Sequence, residues 1–188
     1  MPILPASEKK PSLGLEPLMA GYQQADQEAA RALIEKVSPM LLRFFWMQDC
    51  HRRFAEDLVQ ETWMRVHRAR STYRPGEPVL PWIFAIARHT GLDYYRGTRR
   101  AEARLEQDDH LEGASQVAHG DSGTARMEEL LVGLPASQRE VIVMLKVSGM
   151  SIEEVALATA SSAGSVKQKA HRAYVKLREL LGPGGRSA

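Results

Sequence analysis

The chain contains a single cysteine, Cys50, so it forms no internal disulfide, and that usage fits a reducing cytoplasm. Cys50 and His51 are adjacent, which is not the spacing of metal ligands. No apolar run approaches the length of a membrane span. The first residues, MPILPASEKKPSLGLEP, lack the basic-then-apolar order of a signal peptide. A soluble, cytoplasmic protein with no direct membrane insertion is therefore expected. There is also no phosphate-binding loop, no His-Glu-x-x-His pair and no nucleophile triad. These absences argue against an enzyme, and no catalytic residue, metal site, cofactor or small-molecule substrate is assigned. Net charge is scarce too: 25 Lys and Arg against 23 Asp and Glu leave +2. That near-balance hides segments of opposite sign.

What is present is helical periodicity on 188 residues, 44% of them hydrophobic, enough for one medium domain or two small ones. Residues 1–14 carry three prolines and a lysine pair and read as a flexible leader. From Leu15 to Gln48, Ala29, Ala30, Leu33, Ile34 and Val37 recur at intervals of three and four, with Asp26 as a cap; Pro39 is expected to start a new helix after Ser38. Phe44, Phe45 and Trp46 fall in a strongly apolar segment and read as core. Over 53–70, Ala55, Leu58, Val59, Thr62, Val66 and Ala69 form a stripe for burial. Glu56, Asp57, Gln60, Glu61 and Met64 gather on the opposite side. A methionine exposed among acids and amides fits a protein partner, although an acidic face also simply favours a helix N-terminus.

The segment STYRPGEP, 71–78, reads as a loop because Pro75, Gly76 and Pro78 interrupt regular structure. It leads into a helix from Pro81 to Arg100. On the wheel Ile83, Ala87, Thr90 and Tyr94 fall on the packing side, and His89, Asp93, Arg96 and Arg100 form one polar row. Trp82 lies at the start of that row, where an amphipathic helix would not place it. Beside Tyr73 and Arg74 it can stack on an unpaired base; it can equally pack against a neighbouring element.

Between 101 and 126 six acids face two arginines, a net of −4, with almost no large apolar residue. This stretch reads as a solvated tether; His110 and His119 within it have no companion ligands. From 127 to 182 helical patterning returns. Ser151 and Glu154 have capping-box spacing, and two helices separated by a few residues follow, the layout of a helix-turn-helix. In the second, Val166, Ala170, Ala173 and Leu177 share one side; Lys167, Gln168, His171 and Arg172 share the other. From 165 to 181 five basic residues oppose one acid, so this helix carries +4. Such a helix suits a major groove, where Arg pairs with guanine and Gln with adenine. The expected fold is thus all-α: two small helical domains, 15–100 and 127–182, an acidic flexible linker between them, the second domain a helix-turn-helix, and a tail at 183–188.

Taken alone, these features admit a duplex-binding transcriptional regulator, or an interaction protein whose only interface is the acidic-amide helix. Four segments in order narrow the choice: AEDLVQETWMRVHRA at 55–69, PWIFAIARHTGLDYYR at 81–96, LPASQREVIVML at 134–145, and SIEEVA with GSVKQKAHRAYVKLREL at 151–156 and 164–180. Together they resemble the extracytoplasmic-function (ECF) sigma factors, promoter-recognition subunits of bacterial RNA polymerase.

The resemblance implies that Asp57, Gln60, Glu61 and Met64 dock on core polymerase. It implies that Tyr73, Arg74, Trp82, Arg88, His89, Asp93, Arg96 and Arg100 serve the minus-10 element of promoter DNA, where a strand is opened and a base captured. Ser165, Lys167, Gln168, His171 and Arg172 would read the minus-35 element. It also implies control by an anti-sigma factor, often membrane-anchored. Three places depart from the family pattern. His89 stands where Asn is common, which introduces a weakly pH-sensitive group. Thr159, Ala160 and Ser161 replace leucine, glycine and an aliphatic residue, an exchange expected to cost about 2 kcal/mol for each aliphatic group lost if nothing repacks. Gln168, Lys169 and Ala170 replace the commoner Ser-Arg-Leu, so the minus-35 sequence does not transfer from a relative.

Overall fold

The computed structural model describes residues 14–48, 53–105 and 130–181, with side chains in the middle segment to residue 97. The leader, Cys50 with His51, the linker stretch 106–126 with His110 and His119, and the tail lie outside the described residues. Seven helices follow in order: α1 Leu15–Gln23, α2 Gln27–Trp46, α3 Ala55–Ala69, α4 Val79–Leu105, α5 Ala136–Ile142, α6 Ile152–Ala158 and α7 Ala163–Leu181. A 3-10 turn, Arg70–Thr72, follows α3, and α5 widens into one π-helical turn at Val143–Val147. No strand occurs among the described residues.

The corner between α1 and α2 is set by local chemistry. The Asp26 side chain accepts from the amides of Glu28 and Ala29 at 2.9 and 3.1 Å, satisfying two donors that helix geometry leaves open. Upstream, Asp26 N–H bonds the carbonyl of Gly21 and Ala25 N–H that of Tyr22, closing α1 in a Schellman motif with Ala25 at φ 64°. Gly21 is required here: a Cβ on it would stand 2.6 Å from Cβ of Ala29. The helices approach too closely for any side chain at that point.

Pro39 does not begin a helix. It lies inside a continuous α2. Proline removes one amide donor, normally bonded to the carbonyl of Glu35. Both residues are exposed, so water replaces the lost bond and the helix runs on. The buried face of α2, Leu33, Val37, Leu41, Phe44 and Phe45, supplies the packing that holds it.

Helix α4 is the centre of the molecule. It packs on α3 along one flank and on α6 along another, while α2 meets the π-helical turn. Ile83, Phe84 and Ala87 are fully buried in a hydrophobic cluster that also contains Leu33, Phe45, Val66, Val141, Met144 and Val155. The two halves expected to be separate small domains therefore share one continuous core. The helix also extends beyond Arg100 to Leu105, into the stretch whose charge pattern reads as tether. Glu102 and Arg104 are compatible with helix, and nothing before residue 106 forces a stop.

The helix-turn-helix forms as its capping box requires. Ser151 Oγ accepts from the Glu154 amide, and the Glu154 carboxylate accepts from the Ser151 amide. The departures at 159–161 are accommodated by hydrogen bonds. Thr159 Oγ1 donates to the carbonyl of Val155 at 2.7 Å and lies 2.8 Å from Ser161 Oγ. Ala160 closes a second Schellman motif at φ 49°. Polar satisfaction thus replaces aliphatic packing, but alanine keeps the left-handed strain that glycine would avoid.

Replacing Ala160 with Gly should stabilise the protein by about 0.5–1 kcal/mol, the relieved strain outweighing the added unfolded-state entropy. Thermal denaturation would register this as a rise of roughly 2–4 °C. Gly21→Ala should instead cost about 1–3 kcal/mol through overpacking, despite alanine's better helix propensity; an unchanged melting temperature would place the α1–α2 contact elsewhere.

Candidate nucleic-acid interface

The open face of α3 is the simplest surface. Asp57 and Gln60 are exposed, and Met64 keeps 50% of its surface in contact with solvent. The opposite stripe is buried at Ala55, Leu58, Thr62 and Val66; Trp63 ties the helix to α2 by donating from Nε1 to Ser38 Oγ at 2.9 Å. Glu61 differs from its three companions. Its carboxylate accepts from Arg65 Nε at 2.8 Å, and Arg65 Nη1 donates to Asp93 of α4 at 2.7 Å. A charged chain therefore runs from the face of α3 to the polar row of α4. The Arg65 hydrogen bond holds the Asp93 carboxyl below its ordinary range.

The loop before α4 is braced from beneath. Gln23 Nε2 donates to the carbonyls of Arg70 and Tyr73 at 2.7 and 2.9 Å. Tyr73 is 3% exposed, its hydroxyl donating to the Glu77 carbonyl, and burial pushes its pKa up. Its ring meets Trp82 edge-on, centroids 5.6 Å apart. Trp82, half-buried, therefore sits on a fixed tyrosine, and Tyr73 is the floor of this junction rather than an open aromatic. Arg74 stays exposed at the loop tip.

Along α4, His89, Asp93 and Arg96 are exposed in the expected row. Arg100 continues the helix, with its side chain outside the described residues. Arg88 is turned away from solvent. Its Nε donates to Glu140 Oε1 of α5 at 2.9 Å, leaving the two side chains 29% and 17% exposed. Burial pushes the Glu140 carboxyl up, while Arg88 and Lys169 act in the opposite direction. The sequence gave no sign of this pair: Glu140 sits in an ordinary amphipathic segment, and its partner is 52 residues away.

Helix α7 presents Lys167, Gln168, His171 and Arg172 to solvent, above buried Val166, Ala170 and Ala173. Ser165, partly exposed, has its amide capped by Ser162 Oγ at 3.2 Å. His171 and Arg172 also border an open groove with Pro135, Gln138 and Val175. Buried Arg139 fastens the near side of that groove, donating to the carbonyls of Val132 and Leu134 at 3.1 Å each.

Among the described residues no helix is long and apolar enough to cross a membrane, and no group of three or more His, Cys, Asp or Glu could hold a metal ion. The site residues thus fall into three places: the face of α3, the loop with α4, and the outer face of α7. Arg65 and Glu140 were not singled out by the sequence. Arg65, four residues after Glu61, could have been found by its helical spacing.

Comparison with known proteins places these surfaces. Residues 33–101 match the family model for sigma-70 region 2, and residues 124–177 match that for sigma-70 region 4. The chain is 34% identical over 167 residues to the RNA polymerase sigma factor CarQ of Myxococcus xanthus, covering 87% of this chain and 95% of CarQ. It is 31% identical over 182 residues to the ECF RNA polymerase sigma factor SigD of Mycobacterium tuberculosis, covering 89% of this chain and 84% of SigD. Among solved structures it resembles CnrH bound to the cytosolic domain of CnrY, with TM-score 0.69, 26% identity, and coverage of 90% of this chain and 98% of CnrH. It also resembles the sigma factor RpoE bound to the anti-sigma factor NepR from Bartonella quintana, with TM-score 0.69, 27% identity, and coverage of 82% and 97%. Helix α4 and its loop thus lie in region 2, the helix-turn-helix lies in region 4, and the chain belongs to the ECF sigma factors of RNA polymerase.

Proposed function

We propose that this sigma factor divides its work among the three surfaces. Asp57, Gln60 and Met64 dock on core polymerase, with Glu61 tied to Arg65 at their edge. The row His89, Asp93, Arg96 and Arg100, with Arg74 and Trp82, meets the minus-10 element. Ser165, Lys167, Gln168, His171 and Arg172 read the minus-35 element as duplex. The observation that carries this reading is the outer face of α7. Four basic or amide side chains project together from the second helix of a capped helix-turn-helix, where a major groove would receive them.

Strand opening in this scheme needs no bond chemistry. A captured base must gain contacts exceeding its unstacking cost of a few kcal/mol. Trp82, fixed on Tyr73, offers a rigid edge for that base, and cations of α4 attract the phosphates in a salt-dependent manner. Tyr73 serves by bracing Trp82. The structural relatives carry bound partners, one of them an anti-sigma factor, and this supports control of the present chain by sequestration of its polymerase and DNA surfaces. A transcription initiation factor of this kind, acting without a cofactor in the cytoplasm, catalyses no reaction itself.

Run-off transcription from a promoter library, with core polymerase in the presence and absence of the chain, tests the reading. Promoter-specific transcripts should depend on both components; tight duplex binding by the free chain without such transcripts would favour a polymerase-independent regulator. Asp57→Ala with Gln60→Ala should weaken core binding while leaving the helical circular dichroism intact, and unchanged affinity in a titration would remove that face from the scheme. Arg172→Ala should cost about 1–3 kcal/mol at a single base pair if it reads a base. A loss spread uniformly over all sequences would make it a phosphate contact.

A further inference from the structure

The contact between the two halves does something the promoter roles do not require. Helix α4, from region 2, packs directly against α6, the first helix of the helix-turn-helix, and α2 packs on the π-helical turn of region 4. Val155 and Ala158 of α6 are buried in the same cluster as Ile83, Phe84 and Ala87 of α4. Arg88 and Glu140 join across this boundary at 2.9 Å.

This arrangement conflicts with simultaneous promoter contact. The minus-10 and minus-35 elements are named for positions about 25 base pairs apart, about 85 Å along straight B-form duplex. A compact chain of this length has a radius of gyration of about 16 Å. With α4 touching α6, the polar row of α4 and the outer face of α7 cannot span that separation. Arg88, one residue from His89 in the row, is also occupied by Glu140.

We propose that region 4 is an intramolecular partner of region 2, a closed form in which the Arg88–Glu140 pair registers α5 and α6 against α4 and which must open before both promoter elements are engaged. The inference rests on the assignment of α4 and α7 to the two elements. The pair acts as a register more than as a source of affinity. Desolvation of two partly buried charges offsets much of their attraction, so apolar burial of α6 on α4 supplies the closure and the ions fix its geometry. Removing one partner leaves the other charge without its counter-ion in the interface, and the open form becomes favoured.

Small-angle scattering from the full chain, without polymerase or DNA, reads closure directly. The unmodified chain should be compact, and Glu140→Arg, which sets two cations against each other, should raise the radius of gyration above about 20 Å, as for two domains on a flexible tether. Combining Arg88→Glu with Glu140→Arg restores the opposite charges and should return the compact value. An expanded unmodified chain, or a Glu140→Arg chain that stays compact with native circular dichroism, would overturn the proposal. If Glu140→Arg loses helical content, the charge-swapped chain decides: compact and folded supports a charge-registered interface, and expanded overturns it. Run-off transcription by the unmodified chain reports the promoter assignment separately, so failure of closure and failure of that assignment are distinguishable.

Discussion

Burial of the apolar side of α4 is the constraint on which the rest of the structure depends. Ile83, Phe84 and Ala87 are inaccessible to solvent, and they are packed from more than one direction because α3 and α6 both lie on this helix. Fixing that side fixes the other. Once the apolar positions are inward, the three- and four-residue spacing leaves His89, Asp93 and Arg96 together on the outside. The surface assigned to promoter DNA is therefore a geometric by-product of core packing, held by Arg65 from α3 and braced at its start by Tyr73 under Trp82.

The same helix faces competing partners. Region 4 covers part of it in the closed chain, and promoter DNA requires region 4 to move away. An interface built from apolar packing of a short helix, α6, with one ion pair is suited to that exchange. Its continuous core is extensive enough to order the two halves, while the ionic component contributes geometry at little net energy. Arg88 belongs to both descriptions, lying beside the promoter row and pairing with Glu140. An anti-sigma partner of the kind bound to the structural relatives would act on a molecule that already has an intrinsic closed arrangement.

Much of this was legible in the residues. Helical periodicity located the buried stripes of α3, α4 and α7, and Asp26 and Ser151 marked two helix starts because capping depends on chemistry within a few positions. The open faces at Asp57, Gln60 and Met64 and at Lys167, Gln168, His171 and Arg172 followed from the same periodicity. What escaped depended on contacts between distant segments. The Arg88–Glu140 pair and the merged core arise from the docking of whole helices, which no local pattern encodes. Pro39 misled because proline's lost hydrogen bond matters less when its carbonyl partner is exposed. Tyr73 resembled an open aromatic because Gln23, which braces its loop, is 50 residues away. At Thr159 and Ser161 the composition predicted lost packing, whereas the hydroxyls found each other and a carbonyl.

The central claim is that α4 exchanges a protein partner for promoter DNA. Photo-cross-linking from a benzoylphenylalanine placed at position 89 tests it most directly, in the free chain and in the polymerase–promoter complex. The account predicts cross-links to DNA only in the complex, on the non-template strand of the minus-10 element. Cross-links confined to protein in both states, or to duplex DNA away from that element, would contradict it.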